Sequence, residues 1–377
     1  MEKAGIYIHV PFCVRKCPYC DFYSVPYDPA LAARYTEAVC AQMQLAPRVQ
    51  ANTVYFGGGT PSLLDPALIA RMLEAAAQRF ALSEDCEVTL EMNPATCTAE
   101  KLRALRAAGI NRLSIGVQST DDAVLRQIGR LHDRQGALDT IALAAACGFE
   151  NISADVMLAL PQESEAALMK TIRELCALPV THLSAYLLKI MPGTPFAAHR
   201  PDGIPDDDDQ AVLYEKSCAL LDRCGFVQYE ISNFSRGGRY PSRHNLKYWH
   251  CAPYYGFGAA AHSSVGGKLY SFPRSIDCYL EAFGGSGCPA GSDAAFCAPL
   301  NLETELSAQD FIMLSLRLTA GLDLDELERR FDYCFPPETL RRLDGYARAG
   351  LCESQGRRLW LTRRGMLVSN ALLAEIL

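Results

Sequence analysis

The stretch GIYIHVPFCVRKCPYC, residues 5–20, joins an apolar run to three closely spaced cysteines. Cys13, Cys17 and Cys20 have C-x3-C-x2-C spacing and follow residues typical of a buried β-strand. Three thiolates can hold three irons of a 4Fe–4S cluster, and because no fourth local ligand follows, one iron would stay open to an exchangeable molecule. There are three alternatives to a cluster. A zinc site would need a fourth ligand, and a disulfide framework would need an oxidising compartment. The third alternative is that the spacing arose by chance.

Length and composition narrow the class of protein. The chain has 377 residues, of which 49% are hydrophobic, enough for two domains or one barrel with an appendage. Its 36 basic and 43 acidic residues leave a net charge of −7, which argues against a global basic field for nucleic acid. No apolar run reaches the roughly 18 residues of a membrane span, and the first residues lack a signal-peptide pattern. We therefore expect a cytoplasmic protein without a transmembrane segment.

Strand and helix patterns alternate through the first half of the chain. Strands are predicted at residues 5–10, 53–56, 87–92, 112–117, 151–158 and 182–187, and helices at 29–45, 66–80, 99–108, 134–147 and 165–178. Asp65, Thr98 and Ser164 are the predicted N-caps of three helices. Repeated βα units predict a parallel sheet. Six strands are two short of a closed barrel of about eight, so the predicted fold is α/β, an open three-quarter (β/α)6 barrel.

Polar residues or glycines follow almost every predicted strand. The cysteine loop follows the first, residues 57–61 (GGGTP) the second, and Glu91, Gln118 and Asp155 lie in or at the ends of later strands. In parallel α/β folds the functional groups gather at the carboxyl ends of the strands. The sequence therefore predicts one composite site at that end of the barrel.

Three segments are expected along the chain. Residues 1–205 would form the barrel core, residues 206–295 a barrel extension ending in a glycine-rich linker at 284–295, and residues 296–377 a C-terminal domain. In the last segment, helical patterns precede a hairpin signal, which predicts a mostly helical, winged-helix-like domain. Arg357, Arg358, Arg363 and Arg364 there could indicate DNA binding, but the acidic net charge favours a structural appendage without a nucleic-acid partner.

Several motifs together resemble the radical S-adenosylmethionine (SAM) superfamily. Within it, the chain resembles the branch that holds oxygen-independent coproporphyrinogen III dehydrogenase and the HemW-type heme chaperones. The motifs are the cysteine loop, GGGTPS at residues 57–62, SIGVQS at 114–119, NISADVM at 151–157, PGTPF at 192–196, YEISNF at 229–234 and HNLKYW at 244–249. The resemblance covers nearly the whole chain and implies a radical-SAM barrel.

The resemblance also implies cofactors and a role for each site residue. Cys13, Cys17 and Cys20 would bind a 4Fe–4S cluster whose open iron takes SAM. Backbone N–H groups of the glycine loop would approach the methionyl part of SAM, and Glu91 would accept hydrogen bonds from its ribose. SAM contacts are implied for Tyr7, Tyr19, Gly58, Gly59, Thr60, Glu91 and His262, and a second SAM site, which Lys189 would crowd, for Gln118, Arg130 and Asp155. Tyr7 and Tyr19 would also fit as ordinary core aromatics.

Two departures separate the chaperone branch from the dehydrogenase. The dehydrogenase has a fourth cysteine where this chain has Phe22, and the HNxxYW motif at residues 244–249 is associated with heme binding in the chaperone branch. His244 is therefore the candidate heme ligand. Arginines around it could pair with the heme propionates, and aromatic residues could stack on the macrocycle. We expect a chaperone that delivers heme to an acceptor, such as a membrane-bound respiratory protein, and takes electrons from a reductant. The alternatives are a coproporphyrinogen III oxidase and, against the net charge, a nucleic-acid module.

Overall fold

Six parallel strands form the first half of the structure, a computed structural model that describes residues 2–94, 96–285 and 292–377. The strands are β1 (Ala4–Val10), β2 (Gln50–Gly58), β3 (Ala81–Met92), β4 (Arg112–Gln118), β5 (Asn151–Leu158) and β6 (His182–Leu187). Each pairs in parallel with the next. This pairing confirms the six predicted strands. They could be predicted because strands buried in a parallel sheet tend to be apolar, β-branched runs.

Helices connect these strands as crossovers. They are α1 (Pro29–Met43), α2 (Pro66–Arg79), α3 (Ala99–Ala107), α4 (Asp122–Gln127), α5 (Arg134–Ala146) and α6 (Glu165–Cys176). The side chains of Asp65, Thr98 and Ser164 accept hydrogen bonds from the first turns of α2, α3 and α6, as predicted. Helix α4 was not predicted, since 6 residues are too few to show a helical period.

The next part of the chain extends both edges of the sheet. Its elements are α7 (Pro195–Ala198), α8 (Asp207–Arg223), β7 (Phe226–Gln228), β8 (Asn233–Arg236), α9 (Arg243–Trp249), β9 (Tyr254–Phe257), β10 (His262–Val265), β11 (Lys268–Ser271), α10 (Ile276–Phe283), α11 (Asp293–Cys297) and β12 (Asn301–Glu305). Within the described ranges the strand order is β12-β11-β10-β9-β1-β2-β3-β4-β5-β6-β8-β7. Strands β8 and β9 occupy the outer edges of β6 and β1, so the barrel is open, as predicted.

Two details differ from the expected segments. Residues 286–291 of the predicted linker lie outside the described residues, but its end belongs to helix α11, where Phe296 is fully buried and Asp293 accepts a hydrogen bond from Tyr255 at 2.8 Å. Strand β12 pairs with β11 and so belongs to the large sheet. We therefore propose a C-terminal domain that begins near residue 306 rather than at 296.

The C-terminal domain has a hydrophobic core of its own. It contains α12 (Ala308–Ser315), β13 (Leu322–Asp323), α13 (Leu324–Phe331), α14 (Pro337–Arg348), β14 (Cys352–Gln355), β15 (Arg358–Leu361), α15 (Arg363–Leu367) and α16 (Ser369–Ile376). Its three strands form a small antiparallel sheet in the order β13-β15-β14. Helices with this hairpin match the predicted winged-helix-like arrangement.

Three of the four C-terminal arginines that could indicate DNA binding are in ion pairs. Arg357 contacts Asp325 and Glu328, and the other two pairs join Arg358 to Asp323 and Arg363 to Asp222. Carboxylates therefore neutralise most of this basic cluster, which gives the arginines a structural explanation. Across the described residues, none of the helices combines the length and the apolar character needed to cross a bilayer.

Candidate functional site

The cysteine loop follows β1 at the carboxyl end of the barrel. The thiols of Cys13, Cys17 and Cys20 are free and half-buried, and the loop is held by a hydrogen bond from Tyr27 N to Cys13 O at 3.0 Å. Nowhere in the described residues do three or more His, Cys, Asp or Glu side chains converge on a position for a metal ion. A 4Fe–4S cluster does not require convergence on one point, because each thiolate binds a different iron. The absence of such a convergence therefore does not count against a cluster at the three cysteines.

Thr60, Asn93 and Arg130 connect two of the cysteines. Thr60 Oγ1 lies 3.6 Å from Cys13 Sγ and accepts a hydrogen bond from Asn93 Nδ2 at 3.0 Å. Arg130 Nη2 donates to Asn93 Oδ1 at 2.6 Å, and Arg130 Nη1 donates to Cys17 Sγ at 3.8 Å. A guanidinium beside thiolate sulfur suits an anionic iron–sulfur cluster, whose potential depends on hydrogen bonds to its sulfurs. Asn93 was missed as a site residue, although its place directly after β3 could have indicated it.

The glycine loop at the end of β2 packs against the cysteine loop. Gly59 N donates to Val10 O at 2.8 Å and Thr60 N donates to Phe12 O at 2.8 Å, while Gly58 N donates to a carboxylate. All three N–H groups have acceptors in the protein in this structure, and their approach to SAM stays a prediction. Glycine is needed here for the close approach of the two loops: a Cβ at residue 59 would lie 2.6 Å from Phe12 O.

Glu91 lies beside the glycine loop, inside the barrel. Its Oε1 accepts a hydrogen bond from the Tyr55 hydroxyl at 2.7 Å, and its Oε2 accepts from Gly58 N at 3.2 Å. Burial raises the pKa of Glu91 to about 7, the Tyr55 hydrogen bond opposes that shift, and the charge of Asp155 adds to it. Each carboxylate oxygen keeps a free lone pair, so Glu91 retains the capacity to accept hydrogen bonds from a ribose.

Replacing Glu91 with Gln should change how stability depends on pH. The folded-state pKa is raised above the unfolded value, so the stability that Glu91 contributes is present at low pH and is lost as pH rises through about 7. Relative to wild type, Glu91→Gln should gain up to about 3 kcal/mol of unfolding free energy at pH 8 and little at pH 5. Urea unfolding of the full chain at both pH values measures this, with exposed Glu353→Gln as the control. An equal difference at both pH values would contradict the assignment.

Gln118, Arg130 and Asp155 converge around Gly116, as their predicted common role requires. A Cβ at Gly116 would meet Gln118 Nε2 at 3.1 Å and Arg130 Nη2 at 3.3 Å. Asp155 is the sheet partner of Gly116 on the next strand, and Ser114 donates a hydrogen bond to its carboxylate at 3.3 Å. The absence of a side chain at Gly116 therefore opens the space in which these groups meet. Lys189, expected to crowd them, is exposed.

Three further predicted SAM contacts lie in different surroundings. The Tyr7 hydroxyl lies 3.1 Å from His9 Nδ1 inside the barrel, and the ring of Tyr7 stacks on Tyr55 at 6.2 Å. Tyr19 packs against Phe196 at 6.3 Å over a small apolar cluster, so it also has a core role. His262 is exposed at the start of β10.

His244, the candidate heme ligand, is buried at the opposite end of the barrel from the cysteines. Its imidazole is 0% exposed, with Nδ1 2.8 Å from Thr53 Oγ1 and Nε2 2.8 Å from the Tyr248 hydroxyl. Burial lowers its pKa to about 3, so the ring is neutral and offers one donor and one acceptor. Both ring nitrogens therefore have partners within the protein, and heme-iron binding by His244 stays a prediction.

Two basic side chains near the HNxxYW motif, Arg236 and Lys247, also have other partners. Arg236 donates to the carbonyls of Val180 and Cys176, each at 2.9 Å. Lys247 is buried, and its Nζ donates to Lys3 O at 2.7 Å. The HNxxYW segment is thus packed into the fold and does not form an open basic surface.

Comparisons with known proteins agree with this architecture. A family model described as the radical SAM superfamily matches residues 7–175, and one described as the HemN C-terminal domain matches residues 307–368. The structure is similar to that of Escherichia coli coproporphyrinogen III oxidase (HemN), a radical SAM enzyme, with a TM-score of 0.82 over 99% of this chain and 89% of that one. At 22% identity this likeness concerns the fold alone.

The fold and the cysteine loop define a radical SAM protein with a HemN-type C-terminal domain, a class that implies a 4Fe–4S cluster and SAM as cofactors. Heme chaperone HemW of Bacillus subtilis is 33% identical over 98% of this chain and 98% of its own length. HemW of Mycobacterium tuberculosis is 34% identical over 100% of this chain and 95% of its own length. The chain therefore belongs to the HemW family.

Proposed function

We propose that this chain is a heme chaperone that holds a 4Fe–4S cluster and SAM and delivers heme to an acceptor protein. The residue that supports this best is Phe22. It stands where the coproporphyrinogen dehydrogenases have a fourth cysteine, and its side chain is 62% exposed beside the cysteine loop. An exposed phenyl group cannot replace a thiol in redox or proton chemistry. The sequence identity to HemW proteins over nearly their whole length supports the same choice.

The cofactors are assigned to the residues that meet at the carboxyl end of the barrel. Cys13, Cys17 and Cys20 would hold the cluster, with Arg130 placing positive charge beside Cys17. Glu91 would accept hydrogen bonds from the SAM ribose, and the space at Gly116 between Gln118 and Arg130 would admit a further part of SAM or a second molecule. When bound, the cluster and SAM supply one-electron chemistry. A protein reductant for the cluster and a heme acceptor are the proposed partners.

Heme binding and porphyrinogen chemistry separate the two functions of this branch. We expect the anaerobically reconstituted full chain to bind heme stoichiometrically in an absorbance titration, and to leave coproporphyrinogen III unconverted in the presence of SAM and a reductant. Escherichia coli HemN, assayed in parallel, is the positive control for conversion. Formation of protoporphyrinogen by this chain at a rate comparable to that of the control would overturn the proposal.

A further inference from the structure

Helix α9, which holds the HNxxYW motif, closes the end of the barrel opposite the cysteine loop. Arg243 Nη1 donates to Asp85 O at 2.7 Å, and His244 N donates to the Glu87 carboxylate at 3.2 Å. Asp85 directly precedes the buried part of β3 and Glu87 lies near its start, so α9 lies below the amino ends of the barrel strands. The motif therefore forms a floor under the barrel interior.

His244 reaches from this floor into the interior because Gly5 leaves space for it. A Cβ at Gly5 would lie 3.1 Å from His244 Cε1 and 2.7 Å from Lys247 Cδ. The imidazole lies 5.1 Å from the Tyr55 ring, centroid to centroid, with the two planes 27° apart. Thr53, which holds His244 Nδ1, is two residues before Tyr55 on β2, and side chains two apart on a strand point to the same face. His244 is thus anchored to the strand that presents Tyr55.

Tyr55 connects His244 to the proposed SAM site. Its ring rests on His244, and its hydroxyl donates to Glu91 Oε1 at 2.7 Å. The other oxygen of Glu91 accepts from Gly58 N in the glycine loop. A continuous column, formed by His244, Tyr55, Glu91 and Gly58, therefore runs from the floor of the barrel to the loop that packs on the cysteines.

We propose that His244 is a positioning residue for SAM binding and not a heme ligand. The proposal rests on the assignment of Glu91 to SAM in the proposed function. With its neutral ring fixed between Thr53 and Tyr248, His244 holds Tyr55 in the orientation in which the Tyr55 hydroxyl fixes the Glu91 carboxylate. The HNxxYW motif thereby contributes to the SAM site from the opposite end of the barrel.

The test compares four variants of the full, cluster-loaded chain by SAM titration calorimetry and by heme absorbance titration. His244→Ala and Tyr55→Phe should each weaken SAM binding about tenfold, comparable to the loss of one hydrogen bond to a charged group. The double variant should be no weaker than the single ones, because both changes break the same column. Heme affinity should stay at the wild-type value in all three. His182→Ala is the matched control.

His182 suits this control because its burial and its two ring hydrogen bonds resemble those of His244, although it lies in strand β6 rather than in a helix. It is 1% exposed, its Nδ1 lies 2.7 Å from Ser153 Oγ, and its Nε2 lies 2.8 Å from the Tyr229 hydroxyl. The His182→Ala variant should lose thermal stability as His244→Ala does, but its SAM affinity should be unchanged. An equal loss of SAM affinity in His182→Ala, or additive losses in the double variant, would indicate a general effect on folding and overturn the proposal.

Two other outcomes can be told apart. Loss of heme binding in His244→Ala with SAM affinity unchanged would overturn the positioning role and restore His244 as the heme ligand, while the proposed function would stand. If a fifth variant, Glu91→Ala, leaves SAM affinity unchanged, the SAM site itself is misassigned, and the positioning role falls with it. Tyr55→Phe keeps the ring and loses only the hydroxyl, so it remains informative if His244→Ala does not fold.

Discussion

Replacing Cys17 with alanine is expected to abolish the iron–sulfur cluster, and replacing Cys13 or Cys20 should have the same effect. Each thiolate would hold one iron, and the loop offers no other thiol that could substitute. Iron content after anaerobic reconstitution should fall from about four atoms per chain to near zero, together with the cluster's visible absorption. This is the largest single effect that we expect from any substitution in the chain.

A control variant tests whether removing a cysteine outside the loop also lowers the iron content. Cys334 is an exposed, free cysteine between helices α13 and α14 of the C-terminal domain. Cys334→Ala should keep the full iron content and absorption. A Cys17→Ala protein that retains its iron would show that the cluster, if present, is held elsewhere.

Replacing Gly59 with alanine should disrupt the site without removing any ligand. The added methyl group would lie 2.6 Å from Phe12 O and 2.9 Å from Phe12 N, both of them backbone atoms that cannot move without shifting the cysteine loop. We expect a loss of about 1–3 kcal/mol in unfolding free energy, the usual range for an inserted methyl in a packed site. Cluster assembly should fall as well, because the displaced loop no longer presents its thiols together. Chemical unfolding and iron analysis measure the two effects.

Gly345 supplies the matched substitution. It lies in helix α14, and a Cβ there would meet no neighbour within 4 Å. Gly345→Ala should therefore raise stability by about 0.5–1 kcal/mol, because alanine loses less conformational entropy in a helix. Normal stability and iron content in Gly59→Ala would argue against the close contact between the two loops.

The barrel was predictable because its signals are local. Most of the strands from β1 to β6 contain a short, largely apolar run, and the N-caps at Asp65, Thr98 and Ser164 depend on contacts only a few residues apart. The short helix α4 and the division of residues 206–295 between the two edges of the sheet were not predicted. Helix α4 is too short to show a helical period, and the placement of residues 206–295 depends on pairing between distant parts of the chain, which leaves no period in the sequence.

The sequence by itself determined the cysteine loop, the open barrel and the set of polar groups at its carboxyl end, since these follow from spacing and from strand order. Only the tertiary structure decided how those groups are used. It gave the glycine-loop amides acceptors in the backbone and in Glu91, brought Asn93 between Thr60 and Arg130, and buried His244 on the far side of the barrel. The physical reason is that a buried polar group must find a partner, and which partner it finds depends on contacts between residues far apart in the chain.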